Sequence, residues 1–312
     1  MDRQNALLRR ILTEIGDGSL LDKLDALQPS DLQPLLLEVF GRLSGKTAPA
    51  GLLREYRQNR FVKPAGLDAV SYLKLELELL ASAQESGFLP VLLSPAGLLG
   101  SCSAMAAVSQ NKVLSALRGT EIMADPTNML ALHAADKLFS REWSNTDRAV
   151  HLCAASRVAR AQGMEKPGLL AHFGIYGMVS SGRDSGSYRC ETGLLEKHIA
   201  FYDAFFRRRM DARMSLILRR RKGYTDGSGF MERIGGHIQK TFPHVPLEAD
   251  MAEADNAYYL GLNFKMMLTV NGQRVEIGDG GFVDWTQKLL NNKKERLLIS
   301  AIDLDRLLGM NG

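Results

Sequence analysis

The sequence predicts an α+β protein: an antiparallel sheet flanked by helices, preceded by an N-terminal helical appendage. Three observations predict it. GLDAVSYLKLELELLASAQESG, from about residue 66, reads as one long helix closed by Gly87. A run of mostly antiparallel strands follows, and NG joins YYLGLNFKMMLTVNG to QRVEIGDGG, the usual two-residue hairpin signal. Helices are inserted between those strands.

Residues 1 to 45 read as two or three amphipathic helices. In NALLRRILTEI the apolar residues fall on one face, and GDGS stops the helix. SDLQPLLLEVFGRLSG follows, with Ser30 as its expected cap, and KTAPAG reads as a linker. The appendage is therefore drawn at 1–60 and the core at 61–312. In the core, FLPVLLSP is a short apolar strand, KVLSALRG and EIMADPT are strand and turn, and NMLALHAADKLFS is a helix. AVHLCAASRVARAQ is a strand, GMEKPGLLA a loop, and HFGIYGMVSS a second strand. SGRDSGSYRCE is a polar turn, and TGLLEKHIAFYDAFFRRRM a strong helix with apolar i, i+3, i+4 spacing. VDWTQKLL is a short helix, RLLISAID a strand, and LDRLLGM opens the final helix.

Composition excludes several function classes. The chain has 312 residues, 45% apolar and 24% charged, ordinary values for a globular protein. A net charge of +4 is a small surplus and not the concentrated basic face that nucleic acid requires. Cys102, Cys153 and Cys190 are far apart, and no Cys/His spacing resembles a zinc site. A reduced cytoplasmic compartment fits that usage. The N-terminus lacks the unbroken apolar segment of a signal peptide, and no run of about 18 apolar residues suggests a membrane span.

Several stretches carry candidate chemistry, each beside a plainer reading. SSGRDSGSYRCE surrounds Arg183 and Asp184 with glycines and serines; its backbone N–H groups can hold an anion, or it is a solvent loop with Ser185 or Ser187 near a helix cap. EIGDGGFVDW brings glycines close to a strand, either for ligand approach or for a tight corner. It is neither a Walker loop nor a dinucleotide fingerprint. The basic run 207–222 suits a helix C-terminus, with phosphate contact as the alternative. His172 opens a strand and either faces a cleft or is a satisfied structural histidine. Arg306 cannot lose its charge, so it needs an anion or a π face beside it.

Taken in order, these pieces resemble the catalytic core of a class II aminoacyl-tRNA synthetase, nearest to histidyl-tRNA synthetase and the regulatory subunit of ATP phosphoribosyltransferase. The long helix with GFLPVLLSP resembles motif 1, with Pro95 at its strand end. MADPTN is similar to the P-E-x-T segment, with Asp125 in place of the amino-group-binding glutamate and Thr127 matching. ASRVARAQ resembles motif 2, F-R-x-E-R-P-Q, in which Arg157, Arg160 and Gln162 match. Glu191 falls where the family has an acidic residue opening its next helix. NAYYLGLNF resembles D-Y-Y-T-G-x-x-F through Tyr258, Tyr259, Gly261 and Phe264. GDGGFVDW is similar to G-G-R-Y-D through Gly280, Gly281 and Asp284. ISAIDLDRLLGM takes the place of motif 3, with Arg306 as its arginine. The resemblance covers about 66 to 310. It implies nucleotide contacts from Arg157, Arg160 and Arg306, and amino-acid contacts from Asp125, Thr127, Gln162, Tyr258, Tyr259, Gly280 and Gly281. The family cofactor would be ATP, with Mg if adenylation occurs, and no protein metal site is expected. Planar guanidiniums stack on bases and donate to phosphates, and preplaced positive charge stabilises a pentacoordinate phosphate.

The departures shape the functional expectation. Ala159 replaces the motif 2 glutamate, and Asp303 replaces the motif 3 glycine, adding a carboxylate beside the phosphate position. Ala254 and Ala257 replace the arginine and aspartate used in histidine recognition, and no anticodon-binding domain is expected. Two functions remain. One is a paralog that charges no tRNA, binds an amino acid or nucleotide in the inherited pocket and regulates a partner enzyme. The other is an AMP-forming enzyme that activates a small amino acid or carboxylate for a non-tRNA acceptor. Family members pair through motif 1, so a homodimer is expected.

Overall fold

The computed structural model describes residues 3–161, 171–210, 212–254, 258–270 and 272–310. Gln162, Ala257, Asn271 of the NG turn and nearly all of GMEKPGLLA lie outside them. The chain divides into two compact units, one of residues 1–59 with 116–120, the other of residues 60–115 with 121–312.

The smaller unit holds α1 (Arg3–Ile15), α2 (Leu20–Asp25), α3 (Pro29–Gly45) and α4 (Pro49–Gln58). Gly16 ends α1 at φ +77°, the left-handed conformation that glycine adopts without a Cβ penalty. Ser30 is not a cap: Gln28 holds the N-cap position without a side-chain bond, and Pro29 takes the first helical position, where its fixed φ and missing N–H cost nothing. KTAPAG is only partly a linker, since Pro49 starts α4 in the same way. No described residue of α2, α3 or α4 is buried, so these helices keep their apolar side chains open. The 116–120 segment, which the sequence places in the core, groups with this unit, and the Arg118 backbone N–H donates to the Gln33 side chain.

The larger unit begins with α5 (Ala69–Glu85), capped by Asp68, whose carboxylate accepts from Ser71 N at 2.8 Å. Its buried face is Tyr72, Leu75, Leu79 and Ala83, the helical spacing that the sequence shows. After it come β1 (Leu89–Pro90), β2 (Ala96–Leu98), α6 (Ser103–Ala106), β3 (Thr120–Ile122), α7 (Pro126–Phe139), β4 (Val150–Ala159) and β5 (His172–Arg183). Then follow α8 (Arg189–Met210), β6 (Arg213–Arg221), α9 (Gly227–Thr241), β7 (Leu247–Ala254), β8 (Leu260–Val270), β9 (Gln273–Val283), α10 (Trp285–Leu289), β10 (Glu295–Asp303) and α11 (Leu304–Gly309).

Eight strands form one sheet in the order β1-β4-β5-β10-β9-β8-β6-β7. All neighbours are antiparallel except β1 with β4 and β6 with β7. Side chains alternate between the two faces: Leu298 and Ile302 of β10 join the core under α5, α8 and α9, while Leu297 and Ile299 join the core under α7 and α10. FLPVLLSP gives only a two-residue strand, because Pro90 and Pro95 cannot donate to a ladder. KVLSALRG is not a strand; a 3-10 turn at Gln110–Lys112 leads into it and a single bridge joins Ser115 to Glu121. Among the elements that went unread are a helix and an edge strand. Gly227, Gly229, Gly235 and Gly236 dilute the helical pattern of α9. LEADMAEA, with three acidic residues and three alanines, has little β propensity and sits as the edge strand β7.

The loop before α7 is pinned by one fully buried carboxylate. Glu121 accepts from Ser101 Oγ (2.6 Å), Cys102 N (3.2 Å), Gly100 N (2.9 Å) and Gln110 Nε2 (2.9 Å). Burial raises its pKa, but these donors outweigh burial and leave it below the usual carboxylate value. Glu121→Ala strands four donors, so we expect a loss of about 3 kcal/mol in urea unfolding.

Candidate functional site

Two adjoining chambers open in the larger unit, one of about 350 Å³ and one of about 770 Å³, and both are lined by Asp125, Arg160 and Asp279. The smaller adds Cys102, Val108, Lys112, Asn128, Tyr258 and Tyr259. The larger adds His172, Phe173, Glu276, Gly278, Asp303, Asp305 and Arg306.

Asp125 stands at the N-cap of α7. Its Oδ1 accepts from Thr127 N (2.9 Å) and Thr127 Oγ1 (2.7 Å), and its Oδ2 lies 3.5 Å from Arg160 Nη2. Thr127 is buried and gives its hydroxyl to Asp125. Arg160 donates from Nε to the Ala124 carbonyl (2.9 Å) and lies over the Phe173 ring at 5.1 Å. Tyr258 and Tyr259 meet edge to face at 4.7 Å, and Tyr258 packs the same way on Trp285 at 5.7 Å. Burial, then the nearby carboxylates, push both phenols well above their usual range.

Asp279, which the sequence reading passed over as part of a glycine turn, sits where the chambers meet. Burial first, then the charges of Asp125 and Glu276, push its carboxyl up to about 6, against the pull of the Tyr259 hydroxyl and Lys265. The signal was an ionisable residue between Gly278 and Gly280, just before the buried end of the strand. Gly280 and Gly281 line neither chamber. A Cβ at Gly280 would lie 2.6 Å from the Ile299 carbonyl, and one at Gly281 would lie 2.8 Å from the Leu262 carbonyl, so these glycines let β8, β9 and β10 pack.

Of the three arginines, Arg157 and Arg306 converge on the final helix. Arg157 grips Asp305 with both terminal nitrogens, each at 3.2 Å, while Gly174 N donates to the same carboxylate at 2.8 Å. Arg157 also meets His172 Nδ1 at 3.0 Å and the Tyr72 ring at 5.4 Å. Arg306, the next residue after Asp305, donates to the Glu276 carbonyl. Asp303 caps α11 through Arg306 N at 2.9 Å, with Arg306 Nε 3.9 Å from its Oδ2.

The remaining sequence candidates lie elsewhere. Arg183 and Asp184 pair with Glu295 (3.3 Å) and Arg296 (2.7 Å), so the 180–191 turn is tied down by ion pairs. Glu191 is buried against Arg296 Nε (2.7 Å) and the Tyr224 hydroxyl (2.9 Å). Asp284 stands just before α10, makes no side-chain capping bond and pairs with Lys288 at 2.9 Å. In the basic run, Arg207, Arg209 and Arg219 face Asp203, Glu78 and Asp250. Among the described residues no group of three or more His, Cys, Asp or Glu side chains is placed to hold a metal ion.

A carboxylate whose pKa rises from 3.8 to about 6 on folding destabilises the native state at neutral pH, and that penalty fades as pH falls from 6 to 4. Asp279→Asn keeps an acceptor for Tyr259. We expect it to stabilise the protein by roughly 1–3 kcal/mol at pH 7.5, with the gain vanishing near pH 4, as read by thermal melts across that window.

No family model and no curated protein matches the sequence. Solved structures do match the fold. Histidyl-tRNA synthetase from Staphylococcus aureus superposes with a TM-score of 0.55 at 12% identity, covering 77% of this chain and 64% of that one. An ATP phosphoribosyltransferase regulatory subunit/histidyl-tRNA synthetase from Bacillus halodurans superposes with a TM-score of 0.58 at 13% identity, covering 80% and 83%. A histidine–tRNA ligase subunit from Alicyclobacillus acidocaldarius gives 0.58 at 13%, covering 80% and 96%. The chain has the class II aminoacyl-tRNA synthetase-like fold: an antiparallel-rich sheet flanked by helices.

Proposed function

We propose that this protein is a class II synthetase paralog that charges no tRNA, binds a small molecule in the two chambers and regulates a partner enzyme. One observation carries the reading: the arginines suited to a nucleotide are already engaged by the chain itself. Arg157 is held by Asp305, and Arg306 by the Glu276 carbonyl. Asp125, Glu276, Asp279, Asp303 and Asp305 all line the larger chamber, and like charges there oppose a triphosphate and its Mg. These residues do not fit ATP. Of the inherited ligand choices, an amino acid suits them better.

The regulatory half of the proposal is supported by one structural neighbour, an ATP phosphoribosyltransferase regulatory subunit/histidyl-tRNA synthetase. No helix among the described residues is long and apolar enough to cross a membrane, which accords with the cytoplasmic location we assign. A self-association face accompanies it. Val70, Leu73 and Leu77 of α5 are 59%, 61% and 67% exposed, spaced to form one outward stripe, and Leu92 beside β1 is 99% exposed. We assign this face to a homodimer contact.

ATP–pyrophosphate exchange should be absent with every standard amino acid and simple carboxylate; exchange with any of them means that the chain is an AMP-forming enzyme. Asp305→Asn removes the competing carboxylate while keeping an acceptor for Gly174 N, and should tighten ATP or pyrophosphate binding about tenfold in calorimetry. Leu73→Glu should convert a dimer to a monomer by light scattering with little change in far-UV circular dichroism. A wild-type monomer at micromolar concentration refutes the homodimer.

A further inference from the structure

We propose that a third cavity, bounded by the start of β4, the end of β5 and the first turns of α8, binds the phosphate group of a small molecule. It shares no residue with the two chambers and stands independently of the reading above. Its volume is about 370 Å³, and Asp147 is the one carboxylate among its lining residues. Four cations line it. Arg183 is committed to Glu295 (3.3 Å) and Thr146 (3.3 Å). Arg148, Arg189 and Lys197 form no ion pair among the described residues. Arg189 donates to the Ser185 carbonyl, and Lys197 lies 5.8 Å from the centre of the Phe88 ring. Three unpaired cations against one carboxylate leave an excess of two positive charges, which a phosphate monoester matches at neutral pH. The basic run 207–222 differs, since its Arg207, Arg209 and Arg219 each face a carboxylate.

His151, on the same cavity wall, gives an independent indication through a buried hydrogen-bond chain. His151 Nδ1 meets Ser180 Oγ (2.6 Å), which meets His198 Nε2 (2.8 Å). His198 Nδ1 meets Ser300 Oγ (2.8 Å), which meets the Tyr202 hydroxyl (3.1 Å). Burial keeps both imidazoles neutral, with His151 pushed down to about 4, and keeps the proton on Tyr202. Each ring therefore carries one N–H. Ser300 is the one acceptor that Tyr202 has among the described residues, so Tyr202 donates to it. Ser300 then donates to His198 Nδ1, His198 Nε2–H donates to Ser180, and Ser180 donates to His151 Nδ1. This order places the proton of His151 on Nε2. That N–H has no acceptor among the described residues and is not sealed from solvent. The charge of Lys197 acts on the same ring, and Arg148 and His151 also border the hollow beside β1. Two guanidiniums, an ammonium and an imidazole N–H are a donor set for phosphate oxygens. A monocarboxylate offers half the charge, and a cation is repelled.

The phosphate can be free or esterified, and inorganic phosphate and glycerol 3-phosphate separate these sources, with acetate and glycerol as controls. Titrations of the full chain at low ionic strength are read by calorimetry and by the ring-nitrogen NMR resonances of the histidines, with His151 assigned through His151→Gln. The free protein should show His151 protonated on Nε2. At least one of the two phosphates should bind saturably and shift that nitrogen, with acetate about tenfold weaker or worse and glycerol silent. Arg148→Gln and Arg189→Gln should each lose about tenfold in phosphate affinity. Both side chains are exposed, so the melting temperature should stay unchanged in each variant. Four results overturn the inference: binding of neither phosphate, binding that leaves the His151 nitrogens unmoved, a His151 protonated on Nδ1, or unchanged affinity in both arginine variants. A short RNA that binds while both small phosphates fail also refutes it. None of these results touches the reading of the two chambers.

Discussion

The carboxylate of Asp305 decides what kind of cavity this protein has. It joins three pieces distant in the chain: the guanidinium of Arg157 on β4, the backbone N–H of Gly174 on β5, and the start of α11. The pair is partly open to solvent, so its direct contribution to stability is modest, on the order of 1 kcal/mol. Its chemical effect is larger. A guanidinium gripped at both ends has few donors left for an incoming phosphate, and any phosphate that displaced Asp305 would face the displaced charge at close range. One side chain therefore turns a basic wall into a neutral one bordered by acids.

The rest of the site follows from how closely β8, β9 and β10 pack. Gly280 and Gly281 let carbonyls of the neighbouring strands come within reach of the β9 backbone, so the position between Gly278 and Gly280 is held firmly. Asp279 occupies that position without a cation, at a cost that burial and two nearby carboxylates impose. A rigid strand that presents an uncompensated charge to a cavity is the arrangement expected where a ligand completes the electrostatics.

Much of this was legible in the sequence, and the reasons differ by element. The buried stripe of α5 and the long helix α8 announce themselves by period. The α9 helix does not, because four glycines interrupt it, and β7 does not, because an acidic edge strand carries no apolar alternation. The convergence of Arg157 with the Arg306 segment was readable only from the order of short motifs, since no local pattern links residues so far apart. The sequence also marks Asp303 as the intruding carboxylate. In three dimensions Asp303 is occupied in capping α11, and Asp305, two residues on, reaches the arginine. Helix geometry makes that distinction, because a cap residue turns back to its own N–H groups.

Shape and charge are separable in this fold. At 12–13% identity the structural neighbours share the sheet and its helices, which depend on glycine spacing and on aliphatic side chains alternating between two faces. The chamber's charges are satisfied locally, by an N-cap at Asp125, another at Asp303, and short ion pairs at Asp305 and Glu276. None of these carboxylates needs the others to be tolerated, so acids can accumulate around the cavity without unravelling the scaffold. The charges around a cavity can in this way change while the fold persists.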